Sequence, residues 1–130
     1  MATNELEIIL TQQFADCLSL PVFLTDPKGN LLFYNEPAEE ILGRRYEETG
    51  ALPVEKWAVI FKPKDASGNP LPPSDLPLVK TINNHQPAHG SFWIESLNGK
   101  KFYLSVTSFP IIGRANRYLG AMAVFWQEKT

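Results

Sequence analysis

Cysteine and histidine are scarce in this chain: Cys17 stands alone, and His85 and His89 are the only histidines among 130 residues. A single thiol closes no internal disulfide, and these three side chains fall short of a four-ligand zinc site. A surplus of positive charge is missing too. Twelve basic residues stand against fourteen acidic ones, a net charge of −2, so the bulk attraction behind nonspecific nucleic-acid binding is lacking. No apolar run approaches the roughly 18 residues that a membrane span needs. The opening stretch, MATNELE, is acidic where a secretory signal would be basic. The expectation is a cytoplasmic protein with neither nucleic acid nor membrane as partner. Neither a nucleophile elbow nor a phosphate-binding glycine loop occurs. Asp26 and Asp65 fall in turns, Asp75 at a helix start and Glu95 on an outward strand position, so no carboxylate is placed as a buried general base. A small α+β enzyme is the competing reading, and the pattern favours a non-enzyme.

What the chain has in quantity is apolar and aromatic surface. At 44% hydrophobic and 20% charged it has a globular profile, and a chain of this length buries about two thirds of its surface in one core. Asn4, with Glu7 three residues on, reads as a capping box for a first helix. Leu6, Ile9, Leu10, Phe14, Cys17 and Leu18 share one face of it. Leu20-Pro21 ends that helix. A hairpin follows, Val22 to Thr25 and Leu31 to Tyr34 around Asp26-Pro27-Lys28-Gly29-Asn30. Asn35 caps a short helix with Pro37 in its first turn and Gly43 at its stop. Trp57 to Phe61 reads as a short strand, and Asp65 to Pro73 as loop. Ser74 reads as the cap of a helix running to Asn84. Ser91–Ser96 and Lys101–Phe109 flank Asn98-Gly99, a strong hairpin signal, and Tyr118–Gln127 forms a last strand. The expected fold is α+β, a five-stranded antiparallel sheet with short helices on one face and an amphipathic helix at the N-terminus. The expected division is a helix over residues 1–20 and a single domain over 21–130.

Residues 21–43, with Asp26-Pro27-Lys28-Gly29, Asn35 and Ile41-Leu42-Gly43, resemble the opening of a PAS domain. The middle, Phe61-Lys62-Pro63 through Gly68-Asn69-Pro70-Leu71-Pro72 to Asp75-Leu76-Pro77-Leu78, is similar to the helix-poor variety often attached to bacterial sensor kinases. Asn98-Gly99-Lys100, Ser108-Phe109-Pro110 and Leu119-Gly120-Ala121 resemble the closing hairpin and strand, so the likeness covers about residues 18–127. It implies the sheet order 2-1-5-4-3 and a sensory or protein-interaction module with a pocket between sheet and helices. The Asp-x-Thr element that usually leads into a downstream coiled coil is replaced by Trp126-Gln127-Glu128-Lys129. A free-standing protein and a piece of a larger sensor both fit.

Strand alternation assigns the pocket side. Phe23, Thr25, Leu32, Tyr34, Phe92, Ile94, Leu104, Val106, Met122 and Val124 are expected beneath the helices, with Trp57, Ile82 and His85 completing the ligand-binding set. Flavin-binding relatives hold the ring with amide side chains on the last three strands. Ile94, Leu104 and Met122 occupy those positions here, which argues against flavin. Haem-binding relatives draw an axial histidine from the helix before the third strand, where His85 stands. The competing view makes His85 a polar helix end. Thr25, Tyr34, Ser108 and Trp57 are the polar groups available to orient a small ligand, and a filled core serving only protein interaction is the alternative. The remaining strand positions form an apolar outer face. A homodimer is expected through Leu6, Ile9, Leu10, Phe14, Leu24, Trp93, Tyr103 and Phe125, with a separate signalling protein as a further possible partner.

Overall fold

A computed structural model describes residues 6–128, the side chains of residues 6, 47 and 48 apart. Asn4 lies outside the described residues, as does the side chain of Leu6. Helix α1 (Leu6–Cys17) leads into strands β1 (Val22–Thr25) and β2 (Leu31–Tyr34). Helices α2 (Glu36–Leu42), α3 (Tyr46–Thr49), α4 (Val54–Ile60) and α5 (Pro77–Asn84) follow, then strands β3 (Ala88–Glu95), β4 (Lys101–Ile112) and β5 (Tyr118–Gln127). The five strands form one antiparallel sheet in the order β2-β1-β5-β4-β3. Among the described residues no helix is long and apolar enough to cross a membrane.

The capping signals at Asn35 and Gly43 and the turn signals at Asp26 and Asp65 hold. Asn35 accepts the Ala38 N–H at the start of α2, and Gly43 ends that helix at φ 84°. Asp26 accepts the backbone N–H groups of Lys28 and Asn30, and Asp65 accepts those of Ser67 and Asn69, so two D-x-x-G-N turns close in the same way.

Two elements differ from expectation. Residues 57–60 belong to helix α4, with Phe61 as its C-cap, and not to a strand. Val54, Trp57, Ala58 and Phe61 recur at i, i+3, i+4 and i+7; Trp57 and Ala58 are buried while Val59 is 54% exposed. The β-favouring residues of Trp-Ala-Val-Ile-Phe masked that period. Ser74 caps nothing: it sits in a 3₁₀ turn over Pro73–Asp75, and α5 starts at Pro77, where a missing N–H costs nothing.

Two β-bulges decide which residues face which way. In β2 the pairing slips opposite Leu24/Thr25, so Leu31 and Tyr34 turn inward while Leu32 and Phe33 turn outward. In β5 it slips at Leu119–Gly120, opposite Ile111/Ile112. Gly120 has φ 148°, and a Cβ there would lie 2.1 Å from the Thr25 carbonyl oxygen, so only glycine fits. One extra residue inverts the alternation beyond it. Ala121, Ala123 and Phe125 therefore face the helices, and Met122 and Val124 face α1, the reverse of simple alternation.

Two apolar layers result. The inner one lies between the sheet and α2, α4 and α5. The outer one packs Ile8, Ala15 and Leu18 of the N-terminal region on Val22, Leu24, Leu119 and Met122. Helix α1 thus docks through the face opposite the expected seam: Ile8 and Ala15 are buried, while Ile9, Leu10 and Phe14 are 40%, 54% and 60% exposed. Small Ala15 lets the helix lie close to a sheet face already filled by large side chains.

Candidate functional site

The inner layer holds an apolar cavity of about 90 Å³ that opens to the surface. Its floor is Phe23 of β1, Phe92 and Ile94 of β3, Leu104 and Val106 of β4, and Ala123 and Phe125 of β5. Leu42 of α2 and Trp57 and Ala58 of α4 wall one side; Phe61, Pro63, Leu76, Pro77 and Leu78 close the rest. The ring of Phe23 meets Trp57 edge-on, with centroids 5.3 Å apart. The bulge in β5 puts Phe125 into this wall.

The structure brings Phe23, Trp57, Phe92, Ile94, Leu104 and Val106 together at the cavity. It places the other seven expected residues elsewhere, Leu32 and Val124 among them on the outer face of the sheet. Met122 lies under α1. Ile82 packs half-buried beside the core without reaching the cavity wall. Thr25 is buried, and its hydroxyl points to the Ala121 carbonyl at 3.5 Å. Tyr34 sits behind Phe23, its hydroxyl donating to the Arg44 carbonyl at 2.7 Å with Thr49 Oγ1 2.8 Å away. His85, the left-handed cap of α5 at φ 58°, is exposed and stacks on Tyr118 with centroids 3.8 Å apart. An axial ligand must point into the pocket, and this imidazole lies outside it, so these residues do not fit haem.

The other candidate polar groups are already engaged. Trp57 donates its indole N–H to the Gly29 carbonyl at 2.7 Å. Ser108 and Thr81 share a fully buried hydroxyl–hydroxyl hydrogen bond of 2.7 Å. Ionisable groups lie off the cavity: burial raises the Tyr46 phenol, and burial and then the Asp26 charge raise Tyr118, whose hydroxyl has no hydrogen-bond partner in the structure. Among the described residues no group of three or more His, Cys, Asp or Glu could hold a metal.

Residues missed by alternation fall into two sets. Ala123 and Phe125 carry no local signal for the bulge that turns them inward. Ala58 and Phe61 follow from helical period once α4 is recognised, while Leu42 and Leu78 stand on the apolar sides of α2 and α5.

For the homodimer set, Leu24 is fully buried beneath α1 and Phe125 lines the cavity, so neither is free to meet another chain. Trp93 and Tyr103 lie half-buried on the outer face of the sheet, ring centroids 5.1 Å apart. Ile9, Leu10 and Phe14 are exposed.

Asn35 ties the two layers together. It is 1% exposed, accepts the Val22 N–H at 2.9 Å, and donates to the Ala15 and Leu20 carbonyls, both at 2.9 Å. One side chain therefore holds the start of α2, the end of α1 and the edge of β1.

A sheet in this order, with helices packed around an apolar cavity on one face, defines a small α+β module with a candidate binding site. The family model for the PAS domain matches residues 19–130, and this chain belongs to that family. Among solved structures, a PAS domain from Colwellia psychrerythraea superposes with a TM-score of 0.65 at 17% identity, covering 92% of this chain and 97% of that one. The PAS domain of Bordetella pertussis BvgS gives 0.69 at 12% identity, over 95% and 88%. A Rhodobacter sphaeroides LOV protein gives 0.72 at 11% identity, over 95% and 68%. At these identities the likeness is one of fold. No curated protein matches the chain. PAS domains are generally sensory, non-enzymatic modules.

Proposed function

We propose that this chain is a sensory module whose inner cavity takes a small ligand and whose α1 helix forms a homodimer that passes occupancy on. The carrying observation is Asn35, which caps a helix of the cavity wall while gripping the last turn of α1. A displacement of α2 by a ligand at Leu42 would reach Ala15 and Leu20 through that one side chain. The cavity wall carries no ionisable or nucleophilic group, which supports binding over catalysis.

The exposed ridge of Ile9, Leu10 and Phe14 supports a second copy as partner. It points away from the sheet that α1 already covers, and pairing with its own copy about a twofold axis would bury it on both sides. Native mass spectrometry of the freshly purified protein, with extraction of whatever co-purifies, tests the ligand. Light scattering tests the dimer: twice 14.6 kDa is expected, falling towards a monomer in Phe14→Glu. A wild-type monomer at micromolar concentration overturns the dimer.

A further inference from the structure

Resting on that sensory reading, we infer that the ligand is a compact, uncharged, apolar molecule, a single hydrocarbon ring or a short alkyl chain, and not a polar metabolite. The wall offers carbon alone. Its one side-chain polar atom, Trp57 Nε1, is committed to the Gly29 carbonyl. Three further polar groups that the sequence places near the core, on Thr25, Tyr34 and Ser108, are each directed at a protein partner. A ligand hydroxyl or carboxylate turned against this wall would lose its water and find no replacement.

Size and shape narrow the class further. An engineered apolar cavity of about 150 Å³ stays dry and takes benzene or xenon. At about 90 Å³, this cavity admits one ring with a slight yielding of its wall, or a smaller guest outright. Phe23, Phe61, Phe92, Phe125 and Trp57 contribute five aromatic rings, which favour an aromatic guest through offset and edge-on contacts.

The test compares benzene, phenol and benzoate, which share a ring and differ in a hydroxyl or a charge, with xenon as the smallest probe. Binding is followed by NMR on the Trp57 indole N–H and the Leu104 and Val106 methyl groups. Benzene and xenon should shift these signals saturably, phenol should bind at least about tenfold more weakly, and benzoate should leave them unmoved. Ala123→Leu, which fills the cavity, should abolish the shifts; Ala58→Leu is the second filling variant should the first fail to fold. Tighter binding of benzoate or phenol at these signals overturns the apolar class and leaves the sensory reading standing. Silence with every probe, and no co-purified molecule, overturns both.

Discussion

Trp57 donates its indole N–H to the carbonyl oxygen of Gly29 across 2.7 Å, joining α4 to the turn between β1 and β2. Gly29 is buried, so its oxygen has no water to turn to. Trp57→Phe keeps an aromatic wall and removes the donor. It should destabilise by about 1–3 kcal/mol, the cost of an orphaned buried carbonyl, read as a lower urea midpoint with an unchanged slope.

Asn35→Ala should be more damaging. It strips the cap from α2 and leaves the Val22 N–H and the Ala15 and Leu20 carbonyls without their partner. The expected loss is about 2–4 kcal/mol. Asn35→Asp keeps the two accepting roles and loses the two donating ones. Hydrogen exchange in that variant should speed up in α1 while α2 stays protected.

Met122→Gln tests the bulge in β5. Met122 is 3% exposed against the α1 layer, so an amide there should cost about 1–3 kcal/mol through lost hydrogen bonding. Because the residue lies across the sheet from the cavity, benzene affinity should stay within about twofold of wild type. A loss of that affinity would place Met122 on the wrong face.

Glu7 carries a pH signature. Its own backbone N–H is the main cause that lowers its pKa below the ordinary 4.5; desolvation, the next in size, opposes it, and the backbone at Arg114 and the charges of Arg117 and Arg114 lower it further. Arg117 Nη2 lies 3.7 Å from its carboxylate. A depressed folded pKa means a contribution present above the unfolded value of 4.5 and lost as pH falls through the lower folded one. A carbon-detected NMR titration should find Glu7 below 4.5, and Arg117→Ala should raise it without restoring 4.5, since the backbone donor remains.

Much of the architecture was legible because it rests on local chemistry. Asn35, Pro37 and Gly43 bracket α2 through capping, a preset φ and a left-handed stop, all effects spanning a few residues. The turns at Asp26 and Asn98-Gly99 set two hairpins, and the alternation in β3 and β4 put Phe92, Ile94, Leu104 and Val106 on the cavity side. These parts of the site needed no knowledge of the rest of the chain.

The other half of the site was decided in three dimensions. Which way Ala123, Phe125 and Met122 point depends on one unpaired residue at Leu119–Gly120, and that bulge forms because Gly120 must pass under the Thr25 carbonyl of a strand 95 positions away in the chain. The face that α1 presents depends on what it meets. Its larger apolar residues, Ile9, Leu10 and Phe14, define a seam in isolation, but the sheet beneath is already filled with Leu24, Leu119 and Met122 and accepts the small Ala15 with Ile8. Periodicity reports how side chains are arranged around one element; the partner's shape selects which of those arrangements is buried.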